Sequence, residues 1–136
     1  MNPRPDIVDH PARILIVDDE RQNRQLLEVM LAPEGFLLLT AASGEEALAM
    51  VAQQPPDLIL LDAMMPRMDG YQLTARIKSN LATRNIPVIM LTASDHHSAR
   101  MLALTAGAED FLTKPVDRTE LCVLMRDLLR LKAYGD

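Results

Sequence analysis

Short apolar runs alternate with amphipathic segments along most of the chain. Five runs rich in leucine, isoleucine and valine have the length of strands, and each precedes a segment with apolar residues at helical spacing. The predicted strands are residues 13–17, 36–41, 58–61, 87–91 and 110–113. The predicted helices begin near residues 21, 43, 69, 98 and 117, and the third carries an apolar stripe of Leu73, Ile77 and Leu81. The pattern therefore predicts five strand–helix units.

The first, third and fourth predicted strands are apolar on both faces. This is typical of a parallel sheet that is covered by helices on both sides. Because strand–helix–strand crossovers are right-handed, five such units build a doubly wound α/β fold. In this kind of fold the carboxyl ends of the strands lie at one edge of the sheet, and ligands bind there.

Polar side chains stand where the predicted strands end. Asp18 and Asp19 follow the first strand and Asp62 follows the third. Thr92 follows the fourth strand and Lys114 follows the fifth. Taken singly, residues of these types at such positions are more often turn, surface or helix-cap residues than parts of a site. Together, residues from four strands with complementary chemistry predict a site at this edge.

Three carboxylates that converge on one edge repel one another, and a hard divalent cation relieves that repulsion. Mg²⁺ binds one or a few carboxylates together with phosphate oxygens. Lys114 adds a positive charge suited to phosphate, and the hydroxyl of Thr92 can donate and accept hydrogen bonds. The set predicts phosphoryl transfer to a carboxylate. Asp62 is the favoured acceptor because it lies in mid-sheet, with Asp18 and Asp19 as metal ligands.

Composition and charge narrow the classes of partner. A net charge of −5, an aromatic content of 3% and the absence of tryptophan argue against direct binding of nucleic acid. The single cysteine, Cys122, cannot form an intrachain disulfide, which fits a reducing compartment. No apolar run reaches the ~20 residues of a membrane span, and the first residues lack the apolar stretch of a signal peptide. We therefore expect a cytoplasmic protein that does not bind membranes.

The length of 136 residues fits one domain. Residues 1–12 are polar and contain three prolines, so a flexible arm is expected there. Residues 13–132 carry the alternating pattern and form the predicted domain. Residues 133–136 are expected to form a short tail, where a linker to an output domain would begin.

Five segments resemble the receiver domains of bacterial two-component response regulators, and together they extend over nearly the whole chain. The matching segments are Ile14–Glu20, Leu58–Asp62, Met65–Gly70, Ile89–Ala93 and Asp110–Pro115. The resemblance implies a flavodoxin-like (βα)5 fold with strand order 2-1-3-4-5. It also implies a signalling switch that catalyses, at most, its own phosphorylation and dephosphorylation.

The resemblance assigns an acceptor and a metal site. Asp62 would accept a phosphoryl group from a histidine kinase or a histidine phosphotransfer protein. Asp18, Asp19 and Asp62 would hold Mg²⁺ or Mn²⁺ together with the backbone carbonyl of Met64.

The resemblance also assigns the residues that respond to the phosphoryl group. Thr92, Ala93 and Lys114 would contact it, and Phe111 would turn inward as Thr92 moves. The bond before Pro115 is commonly cis in the family. The surface of the fourth helix, fifth strand and fifth helix would then change and control a partner protein, a linked output domain or a phosphorylation-dependent homodimer.

Three other functions remain as alternatives. A protein-interaction module that does not depend on phosphorylation would keep the fold without using the acidic cluster. A metal-dependent phosphatase of the haloacid type would carry its two acids as D-x-D after the first strand, whereas Asp18 and Asp19 are adjacent. A flavodoxin-like cofactor binder would need a phosphate-binding Gly/Ser/Thr loop at that place.

Overall fold

The computed structural model describes residues 11–93 and 97–135, and its centre is a five-stranded parallel sheet. The strand order is β2-β1-β3-β4-β5, which confirms the predicted topology. The strands are β1 (Arg13–Val17), β2 (Leu37–Ala41), β3 (Leu58–Asp62), β4 (Val88–Thr92) and β5 (Asp110–Thr113). In β3 and β4 every residue is buried, as expected for strands covered on both faces.

Helices cover both faces of the sheet. They are α1 (Arg21–Leu31), α2 (Gly44–Gln53), α3 (Gly70–Ser79), α4 (His97–Ala106) and α5 (Arg118–Gly135), and a 3-10 turn (Ala32–Glu34) follows α1. The core cluster on one face contains residues of α1 and α5, and the cluster on the other face contains residues of α2, α3 and α4. Strand residues alternate between the two, with Ile14 and Ile16 in the first cluster and Leu15 and Val17 in the second.

Side-chain caps begin two helices where the sequence predicts them. The Ser43 hydroxyl accepts a hydrogen bond from the Glu46 backbone N–H at 3.1 Å, which confirms the capping pattern before α2. Asp117 accepts one from the Glu120 backbone N–H at 2.8 Å at the start of α5. Each cap satisfies a backbone donor that the first helical turn leaves unpaired.

The prediction that Leu81 extends the apolar stripe of α3 is wrong. The helix ends at Ser79, and Leu81 lies in the following turn with 77% of its surface exposed. The backbone of Asn80 is extended, and the Thr83 hydroxyl donates a 2.7 Å hydrogen bond to the Ile77 carbonyl. Since this carbonyl would otherwise lack a partner at the helix end, Thr83 stabilises the early stop.

Smaller differences concern element ends. The second strand begins at Leu37, and the fourth is shifted by one residue to Val88–Thr92, so that Thr92 belongs to the strand. Residues 1–10 of the expected arm lie outside the described residues, whereas α5 continues through Gly135. Among the described residues, no helix is both long enough and apolar enough to span a membrane.

Candidate functional site

Three carboxylates meet at the carboxyl edge of the sheet. Asp18 and Asp19 follow β1, and Asp62 is the last residue of β3, the strand next to β1. Each offers a carboxylate oxygen, and these oxygens all lie within 4.8 Å of one another. Asp18 and Asp62 are buried, at 2% and 8% exposure, whereas Asp19 is exposed. The parallel sheet therefore brings together the three acids that the sequence predicts.

Lys114 reaches the same cluster from the end of β5. Its Nζ lies 3.1 Å from Asp62 Oδ1 and 3.5 Å from Asp18 Oδ2. Its backbone N–H donates a 2.7 Å hydrogen bond to the Thr92 carbonyl. The lysine thus faces two carboxylates while its main chain is fixed to the end of β4.

One lysine does not neutralise three acids. Burial raises the pKa of Asp62, and the nearby charge of Asp18 raises it further, although Lys114 and the backbone N–H of Met64 oppose the shift. Burial alone would lower the pKa of Lys114, but the hydrogen bond and charge of Asp62, together with Asp18, outweigh it and raise that pKa. The lysine therefore stays charged, and the cluster keeps an excess of negative charge.

This donor set fits a hard divalent cation. Carboxylate oxygens at this spacing are the ligands that Mg²⁺ prefers, and one exposed acid leaves room for water or phosphate oxygens. Burial is the main cause of the raised pKa of Asp62, and a cation would counter the smaller contribution that the charge of Asp18 makes to it. Asp18, Asp19 and Asp62 are therefore the residues that could hold the metal.

The loop from β3 to α3 approaches the acceptor strand closely. The Gly70 backbone N–H donates a 2.9 Å hydrogen bond to the Ala63 carbonyl. A Cβ at Gly70 would lie 2.4 Å from the Asp62 carbonyl oxygen, so only glycine fits there. Met64, whose carbonyl is the predicted metal ligand, has a side chain that is 68% exposed. In the sequence, Gly70 stands out only as the last residue of the Met65–Gly70 segment; a glycine in the first helical turn, in place of a better helix former, is the signal for this close approach.

The residues predicted to respond to a phosphoryl group lie on β4 and β5. Thr92 ends β4 and is buried, and Ala93 after it is exposed. Phe111 pairs with Met90 across the sheet and packs, half-buried, against the core cluster of α2, α3 and α4. The peptide bond from Lys114 to Pro115 is cis.

Fold and site together define a class of protein. It is a doubly wound α/β domain whose ligand edge carries carboxylates and a lysine instead of a phosphate-binding loop. Residues 14–126 match the response regulator receiver domain, and the chain therefore belongs to this family. It is a phosphorylatable receiver domain of two-component signal transduction, with Asp18, Asp19 and Asp62 forming its acidic pocket.

Longer response regulators are similar to this chain in sequence. It is 48% identical over 125 residues to the response regulator PleD of Caulobacter vibrioides, covering 92% of this chain and 28% of PleD. It is 42% identical over 126 residues to the response regulator MprA of Mycolicibacterium vanbaalenii, covering 93% of this chain and 54% of MprA. The chain thus spans between about a quarter and a half of the length of these relatives.

Solved receiver structures share the fold. A putative response regulator from Chloroflexus aurantiacus superposes with a TM-score of 0.85 at 38% identity, covering 88% of this chain and 98% of that one. The signal receiver domain of a histidine kinase from Syntrophus aciditrophicus gives a TM-score of 0.82 at 35% identity, covering 88% and 90%. The neighbours therefore support the flavodoxin-like receiver architecture.

Proposed function

We propose that Asp62 is the phosphoryl acceptor of this receiver and that the reaction depends on Mg²⁺ or Mn²⁺. The observation that carries the proposal is the contact of Asp62 with Lys114 at 3.1 Å within the acidic cluster. Asp18 is less suited, because its carboxylate lies farther from Lys114, at 3.5 Å, and the residue is only 2% exposed, against 8% for Asp62. Asp19 is exposed, which suits a metal ligand that shares the ion with water.

The donor would be a phosphohistidine of a histidine kinase or of a histidine phosphotransfer protein. A carboxylate oxygen of Asp62 forms the bond to phosphorus as the bond from phosphorus to the imidazole nitrogen breaks. The Lys114 ammonium stabilises the negative charge on the transferred group. When bound, the divalent cation supplies further charge stabilisation for the phosphoryl oxygens. Asp18, Asp19, Asp62 and the Met64 carbonyl are its proposed ligands.

An apolar groove beside the site suits the docking of this donor. The groove has a volume of about 400 Å³ and runs from Asp18 and Lys114 along α1 to Leu26, Met30 and Val116. Leu26 is 61% exposed although it lies next to the reactive edge. An exposed apolar surface beside a charged site is typical of a protein-docking surface.

The proposed output is a change on the surface of α4, β5 and α5. Thr92 and Ala93 contact the phosphoryl group, and Phe111 moves into the space that Thr92 leaves. The target is a partner protein, a linked output domain or a second phosphorylated copy, in agreement with the greater length of PleD and MprA. We further propose that residues 13–132 form the receiver unit, that it acts in the cytoplasm and that it binds neither nucleic acid nor membranes directly.

The test is phosphorylation by acetyl phosphate in the presence of Mg²⁺, read by intact mass. The wild-type chain is expected to gain one phosphoryl group, and EDTA is expected to prevent this. Asp62→Asn should gain none, whereas Asp127→Asn, which removes an exposed carboxylate on α5, should behave like the wild type. An adduct of equal yield on Asp62→Asn would overturn the assignment of the acceptor.

A further inference from the structure

Arg24 holds the main chain of the acidic loop. It is the fourth residue of α1, and its side chain turns back toward the end of β1. Nη1 donates a 2.7 Å hydrogen bond to the backbone carbonyl oxygen of Asp18. The side chain is half-buried, so this charge-assisted bond is partly shielded from water.

The carboxylate of Asp19 depends on that main chain for its position. Asp18 is held through its own carboxylate, by the Glu20 backbone N–H and by Lys114. Among the described residues, by contrast, no hydrogen bond holds the Asp19 carboxylate. The peptide group that joins Asp18 to Asp19 is planar. When the Asp18 carbonyl is held in place, the orientation of the Asp19 N–H and Cα is therefore held as well.

A positive charge at this place needs an explanation. It lies in the first turn of α1, where the helix dipole disfavours cations. It also lies next to a site that fits a divalent cation, which it would repel. The helix dipole and a bound cation oppose an arginine here, whereas the carboxylates of the acidic cluster and the bond to the Asp18 carbonyl favour it.

We propose that Arg24 is a positioning residue for the metal site, which holds the Asp18–Asp19 peptide group so that the Asp19 carboxylate points at the ion. This inference rests on the proposed function, because it requires that Asp19 binds the metal. It assigns Arg24 no contact with the metal or with the phosphoryl group. The direction of the change in metal affinity when Arg24 is replaced distinguishes a positioning role from a purely electrostatic one. Loss of positioning weakens metal binding, whereas loss of a nearby positive charge alone strengthens it.

The test compares metal affinities of three variants with that of the wild type, using Mn²⁺ titrations followed by electron paramagnetic resonance and Mg²⁺ titrations followed by calorimetry. Arg24→Met removes the donor and the charge, and Arg24→Lys keeps the charge with a single ammonium donor. Arg21→Met removes a positive charge from the exposed first residue of the same helix. Arg24→Met is expected to bind roughly tenfold more weakly, as is common when a group that orients a metal ligand is lost.

The other expectations separate the possible explanations. Arg24→Lys should bind more tightly than Arg24→Met, and Arg21→Met should bind as the wild type or more tightly. Amide hydrogen exchange at Asp19 and Glu20, measured without metal, should accelerate in Arg24→Met. If Arg24→Met does not fold, the metal affinity of Arg24→Lys is compared with that of the wild type instead. Arg24→Lys is then expected to bind the metal more weakly than the wild type.

Equal or tighter metal binding by Arg24→Met, or by Arg24→Lys where that variant carries the test, would overturn the positioning role. If the wild-type chain itself bound neither Mn²⁺ nor Mg²⁺, the metal part of the proposed function would fail, and the positioning role with it. The wild-type titration therefore shows whether metal binding itself fails or only the positioning role of Arg24.

Discussion

The two helices on either side of β5 are attached to the sheet in different ways. In α5, the core-facing residues Leu121, Cys122 and Met125 are buried. In α4, only the alanines Ala99 and Ala103 are buried among the described residues. Since stabilisation grows with the apolar area removed from water, α5 is held much more firmly than α4.

Ion pairs add to this difference. Arg118 and Arg126 of α5 both bind the carboxylate of Glu34, in the turn after α1, and Arg126 at 2.7 Å. The Arg126 guanidinium also lies 5.3 Å from the ring centre of Phe36. On α4, Met101, Leu102 and Leu104 are instead between 42% and 55% exposed.

This difference indicates which part of the surface formed by α4, β5 and α5 can move with the smaller loss of buried apolar contacts. A change at Thr92 is close along the chain to α4, whose buried residues are the small side chains Ala99 and Ala103. α5 is tied to the α1 side of the molecule by contacts that do not include the acidic site. We therefore expect the structural change on phosphorylation to be concentrated in α4, while α5 keeps its position on the sheet.

The largest expected effect comes from the core contact of α5. Met125→Ala should lower the free energy of unfolding by about 2–5 kcal/mol, because Met125 is fully buried. Ala103→Gly in α4 should cost only about 1 kcal/mol, mostly through helix propensity. Urea denaturation of both variants gives the two values, and Leu131→Ala, at an exposed position of α5, is the control. An equal or greater loss for Ala103→Gly would contradict the proposed difference between the helices.

A smaller, pH-dependent effect is expected at Glu34. Its pKa lies below the usual 4.5 because of the hydrogen bond from Arg126 and the charges of Arg118 and Arg126, although partial burial opposes the shift. The ionised carboxylate therefore stabilises the fold above pH 4.5, and this contribution disappears as the pH falls through the lowered pKa.

Glu34→Gln should thus be less stable than the wild type at pH 7, by less than Met125→Ala. The gap should close as the pH falls below 4.5, as measured by urea midpoints across that range. Glu45→Gln, at an exposed position of α2, is the control for loss of a carboxylate that forms no ion pair among the described residues. A gap for Glu34→Gln that stays constant down to low pH would show that its ion pairs do not stabilise α5.

The smallest effect on stability is expected on the exposed side of α4. Leu104→Ser should change the free energy of unfolding by no more than about 0.5 kcal/mol. It should nevertheless weaken any self-association that follows phosphorylation, as measured by sedimentation with and without acetyl phosphate. Val123→Ser makes the matched change on the exposed side of α5. If Val123→Ser weakened self-association more than Leu104→Ser, the surface that associates would lie on α5 and not on α4.

Sequence periodicity was sufficient to predict the sheet and its ligand edge. Apolar runs mark buried strands, and in a parallel sheet all residues that follow such runs lie at one edge. The positions of Asp18, Asp62 and Lys114 after such runs therefore predict that they lie together. The agreement in strand bounds, within about one residue, follows from the same pattern, whereas the strand order follows from the resemblance to receiver domains.

Individual side-chain contacts that follow no periodic pattern could not be predicted in this way. The pairing of Glu34 with Arg126 joins residues 92 positions apart, and no local pattern marks it. The end of α3 depends on Thr83, which reaches back to a helix carbonyl six residues earlier. The bond of Arg24 to the Asp18 carbonyl has the same character, since a side chain there binds a main-chain atom and leaves no periodic signal.

Asp62 is the residue that we propose carries the phosphoryl group. The most direct measurement is reductive mapping, in which the chain is phosphorylated with acetyl phosphate and Mg²⁺, treated with borohydride, digested and sequenced by mass spectrometry. Borohydride reduces an aspartyl phosphate to homoserine, so we expect homoserine at position 62 and unmodified aspartate at Asp18 and Asp19. Homoserine at position 18 or 19, with Asp62 intact, would contradict it.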